Sequence, residues 1–162
     1  MASKMFKLLL FLLGFGTVCT SKKHVLCSTL RLELFYEKCD DSYTPVIKME
    51  PCEINKDTRV TLSLTIIPRK DIGRLYARVQ VSKDSVTVSD FRYVLCSGYD
   101  DEFDFCGALK GETLKLSYQD FRYLKQLIKG LYTIKIHLFV GEKEELLACF
   151  IVTVNLKFSL IS

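Results

Sequence analysis

Alternation of apolar and polar residues recurs along most of this chain of 162 residues. Successive side chains of a β-strand point to opposite faces, so a period of two places one face inward and the other toward solvent. Five long runs of this kind predict strands over residues 30–36, 60–66, 75–81, 132–138 and 150–156. Shorter runs predict strands over residues 46–50, 91–95 and 114–118.

Seven or eight short strands, separated by turn-like breaks, predict an all-β fold of the antiparallel sandwich type. The one helical candidate, residues 120–129, is interpreted as a loop with at most a single turn. Pro68 is expected to end the strand before it, because proline has no N–H group to donate to a sheet ladder. No linker or repeat divides the chain, so we expect a single domain.

The first 20 residues follow a different pattern. Lys4 and Lys7 precede or flank a run of mostly Leu and Phe that ends at Phe15, and small or polar residues follow it. This arrangement is typical of a secretory signal peptide, and the run is shorter than the roughly 20 apolar residues of a membrane-spanning helix. We expect cleavage between residues 16 and 21, which leaves a secreted, extracellular domain over residues 21–162. Removal of two of the 23 basic residues, against 19 acidic ones, leaves a charge of +2, too small to indicate a nucleic-acid partner.

Six cysteines remain in the predicted mature domain, which indicates three disulfides in a secreted protein. They are Cys27, Cys39, Cys52, Cys96, Cys106 and Cys149. The pairing does not follow from these positions alone. A structural zinc site is disfavoured, because the sequence has no Cys-x-x-Cys pair and only His24 is close to a cysteine.

Cys96 and Cys106 bracket an acidic segment that contains Asp100, Asp101 and Glu102. A disulfide between these cysteines would present the carboxylates on a short loop, which suits recognition of a basic partner. The alternative is an ordinary solvated hairpin tip. A calcium site is a third interpretation, but the segment lacks the spacing of an EF-hand.

Catalytic chemistry finds little support in the sequence. His137 falls on the polar face of a predicted strand, and no nucleophile elbow or Gly-rich phosphate loop occurs. The adjacent Asp100 and Asp101 lack a buried partner that would separate their pKa values. We therefore expect no enzyme activity, no catalytic residues, no metal and no cofactor other than a bound lipid or fatty acid.

The apolar faces of the predicted strands allow two kinds of core. Two sheets packed face to face form a dry core about 10 Å thick. If the sheets splay apart, the same residues line a slot for acyl chains or a sterol. Periodicity alone does not separate the two cases, although a dry core is the more common arrangement.

Residues 96–112 resemble the corresponding stretch of the MD-2-related lipid-recognition family. The resemblance rests on the acidic loop and on Ala-Leu-Lys-Gly-Glu-Thr at 108–113. It extends to Ile-Pro-Arg-Lys-Asp at 67–71, Leu-Tyr at 75–76, Glu-Pro-Cys at 50–52 and the order of the six cysteines. It covers residues 25–154.

This resemblance implies an immunoglobulin-like β-sandwich of two splayed antiparallel sheets with a hydrophobic cavity between them. The disulfides it implies are Cys27–Cys52, Cys39–Cys149 and Cys96–Cys106. The cavity is expected to take the acyl chains of lipid A or another acylated lipid. Its implied walls are the inward residues Leu34, Ile47, Met49, Leu62, Leu64, Val79, Val81, Leu95, Phe105, Leu114, Phe121, Tyr132, Ile136, Val152 and Val154.

The function implied is that of a secreted co-receptor in innate immunity, which binds lipopolysaccharide and presents it to Toll-like receptor 4 at the cell surface. Receptor contacts are expected at Arg69, Asp100, Asp101, Glu102 and Lys110, and a second-receptor contact at Leu127. The lipid phosphates are expected at a cavity rim formed by Arg59, Arg122, Lys125 and Lys129. This rim is expected to be weak, because the family carries basic residues where this chain has Ser97, Tyr123, Gln126 and Thr133.

Two alternatives stay open. One is a related co-receptor for another receptor, or a soluble lipid or sterol carrier, that uses the same cavity. The other is a cell-surface interaction sandwich with a dry core.

Overall fold

The computed structural model describes residues 22–39, 45–52, 59–98, 103–119 and 128–158. These ranges contain nine strands and no helix. The strands are β1 (His24–Ser28), β2 (Leu32–Lys38), β3 (Val46–Glu50), β4 (Thr61–Ile66), β5 (Leu75–Lys83), β6 (Val86–Cys96), β7 (Leu114–Tyr118), β8 (Gly130–Val140) and β9 (Glu145–Leu156). Within the same ranges, no segment qualifies as a membrane-spanning helix. The predicted signal peptide and nearly all of the helical candidate at 120–129 lie outside the described residues.

The strands form two antiparallel sheets of unequal size. The larger has six strands in the order β1-β2-β9-β8-β5-β6, and the smaller has three in the order β3-β4-β7. Paired strands run antiparallel throughout both sheets. The predicted all-β fold of two antiparallel sheets is therefore confirmed.

Several strand boundaries differ from the sequence-based prediction. Strand β1 was not predicted, and β6 is longer than the predicted 91–95. Strand β2 begins at Leu32 rather than at residue 30, because the Thr29 hydroxyl accepts hydrogen bonds from the N–H groups of Arg31 and Leu32 and bends the chain into a turn. Strand β4 ends at Ile66, two residues before the buried Pro68, as predicted.

Buried apolar residues form two clusters. The first contains Cys27, Leu32, Leu34, Met49, Val60, Tyr132, Val154 and Leu156. The second, smaller cluster contains Ile72, Leu75, Cys96 and Ala108. Strand β8 runs from one to the other, since Tyr132 belongs to the first cluster and Leu138 packs against the second.

Three disulfides join Cys27 to Cys52, Cys39 to Cys149 and Cys96 to Cys106. These pairs are the ones that the family resemblance implies. Cys27–Cys52 connects β1 of the larger sheet to the end of β3 in the smaller one. Cys39–Cys149 connects two parts of the larger sheet, because β2 and β9 are already paired there.

Candidate functional site

An apolar cavity of about 440 Å³ lies between the two sheets. All of the described residues that line it are apolar. They are Leu26, Leu34, Ile47, Met49, Leu62, Leu64, Ile66, Ile72, Leu75, Leu95, Phe105, Leu116, Ile134, Ile136, Leu138, Leu147, Phe150, Val152 and Val154. Every strand of both sheets contributes at least one of these residues, so the cavity occupies the position of a sandwich core.

Strand register explains how the smaller sheet forms its wall. Ile47 and Met49 of β3 pair with Leu64 and Leu62 of β4, and Leu64 pairs in turn with Leu116 of β7. Directly paired residues share one face of a sheet. The alternation in β4 therefore brings the apolar residues of three strands together on the face that meets the cavity.

The larger sheet forms the opposite wall of the cavity. Along β8, Tyr132 is buried in the first cluster, Ile136 lines the cavity, and Leu138 both lines it and packs against the second cluster. Along β8 the cavity therefore lies between the first cluster, at Tyr132, and the second cluster, at Leu138. Ile136 of the larger sheet and Leu64 of the smaller sheet both line it.

The size of the cavity indicates that it is built for an occupant. Protein interiors are close-packed and contain few voids larger than a water molecule. A space of about 440 Å³ is many times the roughly 30 Å³ that one water molecule occupies in the liquid. Apolar lining gives water no hydrogen-bond partners, so an apolar ligand is the favoured occupant.

Ten of the predicted wall residues line this cavity: Leu34, Ile47, Met49, Leu62, Leu64, Leu95, Phe105, Ile136, Val152 and Val154. Four others do not line it. Tyr132 is buried in the first cluster and Val81 packs beside it, whereas Leu114 packs against the second cluster. Val79 is partly buried on β5. Phe121 lies outside the described residues.

Nine lining residues were absent from the predicted wall. Five of them, Ile66, Leu75, Ile134, Leu138 and Phe150, fall on the apolar faces of the predicted strands, so the alternation itself carried their signal. Leu116 lies two residues after Leu114 on the same face of β7. Leu26, Ile72 and Leu147 lie outside the alternating runs, and their contribution depends on tertiary contacts.

The predicted phosphate rim is only partly described. Arg59 is exposed just before β4, and Lys129 is exposed just before β8. Arg122 and Lys125 lie outside the described residues, as does Leu127, the predicted second-receptor contact.

The predicted receptor contacts Arg69 and Lys110 lie on two loops that are joined by backbone hydrogen bonds. The N–H of Ile72 donates to the carbonyl of Ala108 at 2.8 Å, and the N–H of Gly107 donates to the carbonyl of Ile72 at 2.7 Å. We call these loops, residues 67–72 and 106–112, the paired loops. Arg69 and Lys110 are both exposed on them, whereas Asp100, Asp101 and Glu102 lie outside the described residues.

His137 is the described histidine with a perturbed pKa, and it faces away from the cavity. It follows Ile136 in β8, so its side chain points to the outer face of the larger sheet. Burial lowers the pKa of His137, and the positive charges of Lys135 and Arg78 lower it further. Its Nδ1 atom is buried without a hydrogen-bond partner among the described residues. The other histidine, His24, stacks on Tyr36 with ring centroids 4.9 Å apart.

Metal-ligating side chains do not cluster in the described ranges: no group of three or more His, Cys, Asp or Glu residues there could hold an ion. The six described cysteines are all in disulfides. Among the described residues, the cavity contributes apolar walls and the paired loops contribute exposed charges.

Comparison with known proteins identifies the family. No family model matches the chain. It is 35% identical to lymphocyte antigen 96 of Bos taurus over 152 residues, which cover 90% of this chain and 92% of that protein. With lymphocyte antigen 96 of Homo sapiens the identity is 30% over 149 residues, again covering 90% of this chain and 92% of that protein. The chain belongs to the MD-2-related lipid-recognition family.

Other members of the MD-2-related family agree with this assignment. Lymphocyte antigen 86 of Homo sapiens is 28% identical over 126 residues, covering 78% of this chain and 77% of that protein. A crystal structure of chicken MD-1 complexed with lipid IVa superimposes with a TM-score of 0.70 at 26% identity. The match covers 84% of this chain and 98% of the chicken protein. The resemblance inferred from the sequence is confirmed.

Proposed function

We propose that this protein is a secreted co-receptor that holds the acyl chains of lipid A between its two sheets and presents the lipid to Toll-like receptor 4. The observation that carries the proposal is the cavity between the sheets, which spans both of them and has an entirely apolar lining among the described residues. Each methylene that leaves water contributes about 0.8 kcal/mol, so acyl chains bind such a cavity without specific polar partners. Binding and presentation, rather than catalysis, is the proposed activity.

The proposed ligand class is an acylated lipid with phosphate groups. Support comes from the chicken MD-1 structure, which contains lipid IVa and has the same fold. In this chain the acyl chains would contact aliphatic residues such as Leu64 and Ile136. The phosphates would lie near Arg59 and Lys129, together with Arg122 and Lys125.

The proposed receptor surface consists of the paired loops and the acidic segment. Arg69 and Lys110 supply positive charge there, and Asp100, Asp101 and Glu102 supply negative charge. Complementary charges of both signs fix the orientation of a partner and accelerate association. Leu127 is the proposed contact to a second receptor molecule. The proposed complex would act at the cell surface, in the inflammatory response of innate immunity to lipopolysaccharide.

A second candidate is a co-receptor of the lymphocyte antigen 86 type. It is favoured by one observation, the structural match to chicken MD-1, the protein of the lymphocyte antigen 86 type in this comparison, over 98% of that chain. The identity to lymphocyte antigen 96 of Bos taurus is higher, at 35% against 28% for human lymphocyte antigen 86. We therefore place Toll-like receptor 4 first among the receptors.

Two measurements on the secreted protein test the proposal. Native mass spectrometry, followed by denaturation, should reveal one or more co-purified acylated lipids or fatty acids. Surface plasmon resonance should then show binding to the Toll-like receptor 4 ectodomain in preference to the receptor of lymphocyte antigen 86. A lipid-free protein that does not take up added lipid A would contradict the ligand. The reverse receptor preference would contradict the receptor while leaving the ligand intact.

A further inference from the structure

The turn that carries Lys110 is held by several hydrogen bonds. Residues Leu109–Glu112 form a turn in which the N–H of Glu112 donates to the carbonyl of Leu109 at 3.2 Å. Gly111 has a φ of +90°, a conformation that favours glycine over other residues. The Glu112 carboxylate folds back and accepts a hydrogen bond from the N–H of Leu109 at 2.8 Å.

The two central N–H groups of this turn are bonded to the other paired loop. Gly111 donates to the carbonyl of Pro68 at 2.8 Å. The N–H of Lys110 donates to the side-chain oxygen Oδ1 of Asp71, also at 2.8 Å. All four backbone N–H groups from residue 109 to residue 112 therefore have acceptors, and two of those acceptors are carboxylates.

The backbone on either side of Asp71 is held by burial and by hydrogen bonds. Its neighbour Ile72 is 1% exposed and is held to the second loop by the hydrogen bonds with Ala108 and Gly107. Pro68, at the other end of the first loop, is also fully buried. The Asp71 carboxylate is exposed, but the backbone that carries it is anchored in the second buried cluster.

We propose that Asp71 is a positioning residue for receptor binding, which acts by fixing the backbone at Lys110. This inference rests on the proposed function, because it takes Lys110 to be a receptor contact. A lysine has a long, flexible side chain, and ordering it on binding opposes affinity. A fixed backbone limits the directions in which the ammonium group projects before the receptor arrives, so part of that cost is already met.

The alternative is that Asp71 contacts the receptor itself. Asp71 borders a surface groove of about 390 Å³ that is also lined by Arg74 and Glu142. A partner side chain in this groove would meet Asp71 directly. Direct contact and positioning differ in whether the effect of Asp71 depends on Lys110.

A double-mutant cycle separates the two roles. The affinity of the receptor ectodomain is measured for the wild type, Asp71→Ala, Asp71→Asn, Lys110→Ala and the double variant Asp71→Ala/Lys110→Ala. Asp71→Ala should weaken binding by about three- to tenfold. Asp71→Asn keeps the side-chain oxygen acceptor and should remain within about twofold of the wild type. Once Lys110 is alanine, Asp71→Ala should add less than about twofold.

Thr29→Ala is a matched control, because the Thr29 hydroxyl also accepts a hydrogen bond from a backbone N–H in a turn, that of Leu32 at 3.0 Å. This turn lies next to β1, at the other edge of the larger sheet. The control variant should leave receptor affinity unchanged. Amide hydrogen exchange supplies a readout that needs no receptor: protection of the Lys110 amide should fall in Asp71→Ala and persist in Asp71→Asn.

Each other outcome is decisive. If Asp71→Ala weakens binding equally in the Lys110→Ala background, Asp71 touches the receptor and the positioning role is wrong. If Asp71→Asn is as weak as Asp71→Ala, the negative charge matters rather than the hydrogen bond, which also overturns the inference. If Lys110→Ala weakens binding and Asp71→Ala does not, the positioning role of Asp71 is wrong, whereas the proposed receptor surface stands. If the wild type does not bind the receptor, or Lys110→Ala costs nothing, the proposed receptor surface fails with it.

Discussion

Arg78 of β5 donates two hydrogen bonds to Asp90 of β6, one from Nε to Oδ1 at 3.1 Å and one from Nη2 to Oδ2 at 2.8 Å. Gln80 donates a third, from Nε2 to Oδ2 at 2.9 Å. Hydrogen bonds from Arg78 and then Gln80, together with the positive charge of Arg78, lower the pKa of Asp90 to about 2. These bonds connect the edge strand β6 to its neighbour on the outer face of the larger sheet.

Acid should weaken this connection in a defined pH range. An unfolded aspartate has a pKa of about 3.9, so the stabilisation from Asp90 is fully present above about pH 4 and is lost as the pH falls toward 2. Asp90→Asn should lower the unfolding free energy at neutral pH and flatten its dependence between about pH 4 and 2. Chemical denaturation at several pH values measures both effects. An unchanged pH dependence in Asp90→Asn would assign the acid sensitivity to other carboxylates.

A charge placed on the cavity wall should remove the lipid. Leu64→Glu would bury a carboxylate without a partner against acyl chains, which is costly. We expect the variant to be secreted in reduced amount and to carry little or no lipid in native mass spectrometry, and Val152→Glu to behave in the same way. Ser63→Glu is the matched control, because Ser63 is the exposed neighbour on the other face of β4. Normal secretion with normal lipid content in Leu64→Glu would show that the assigned wall is wrong.

Receptor association should depend on the acidic segment. Asp100→Lys together with Asp101→Lys would replace attraction by repulsion, so the association rate with the receptor ectodomain should fall by at least about tenfold. Lipid content and secretion should not change. Glu50→Lys, an exposed charge reversal on the smaller sheet, serves as the control. Wild-type association of the double variant would make the segment an ordinary solvated loop.

Discrimination among lipid phosphates is expected to be poor. A charge-assisted hydrogen bond contributes about 1.5–3 kcal/mol, and the uncharged Ser97, Tyr123, Gln126 and Thr133 stand where the family resemblance implies basic residues. Titration with lipid A and with its monophosphorylated form should therefore give affinities within about tenfold of each other. The comparison is made at two salt concentrations. A strong preference for the bisphosphorylated lipid that weakens in high salt would show that other cations complete the rim.

The disulfide pairing can be checked directly on the purified protein. Peptide mapping without reduction should recover Cys27–Cys52, Cys39–Cys149 and Cys96–Cys106. Cys39 and Cys149 are 110 residues apart, and chain entropy gives such a crosslink about 4–5 kcal/mol of stabilisation. Cys39→Ala with Cys149→Ala should thus lower the melting temperature more than the corresponding changes at Cys96 and Cys106, which close a loop of only 10 residues. Any other pairing in the peptide map would contradict the connectivity.

Much of the architecture was predictable because β-strands record their environment with a period of two. Leu62 and Leu64 alternate with Thr61 and Ser63, and the alternation alone identified the face of β4 that meets the cavity. The same reasoning held for Ile136 in β8 and for Val152 and Val154 in β9. Family resemblance, rather than alternation, indicated a cavity in place of a dry core, because both arrangements use identical faces.

Other features depend on contacts that no local pattern records. Leu26, Ile72 and Leu147 line the cavity from positions outside the alternating runs. Tyr132 has the same inward orientation as Ile136, yet it is buried in a cluster, because its distance along β8 places it where the sheets meet. The bond from Lys110 to Asp71 joins residues 39 positions apart, so the role of Asp71 was invisible until the loops were seen to pair.

The Cys27–Cys52 disulfide has a mechanical consequence for the sandwich. Among the three disulfides it is the one that bridges directly from a strand of the larger sheet to the end of a strand of the smaller sheet. Cys39–Cys149 stays within the larger sheet, and Cys96–Cys106 connects that sheet to a loop. The two sheets are therefore linked covalently at one corner, and no other disulfide among the described residues joins them. At the other end of the cavity, near Ile72 and Leu95, the described residues supply no covalent link between the sheets, so the sandwich has its covalent hinge at one end only.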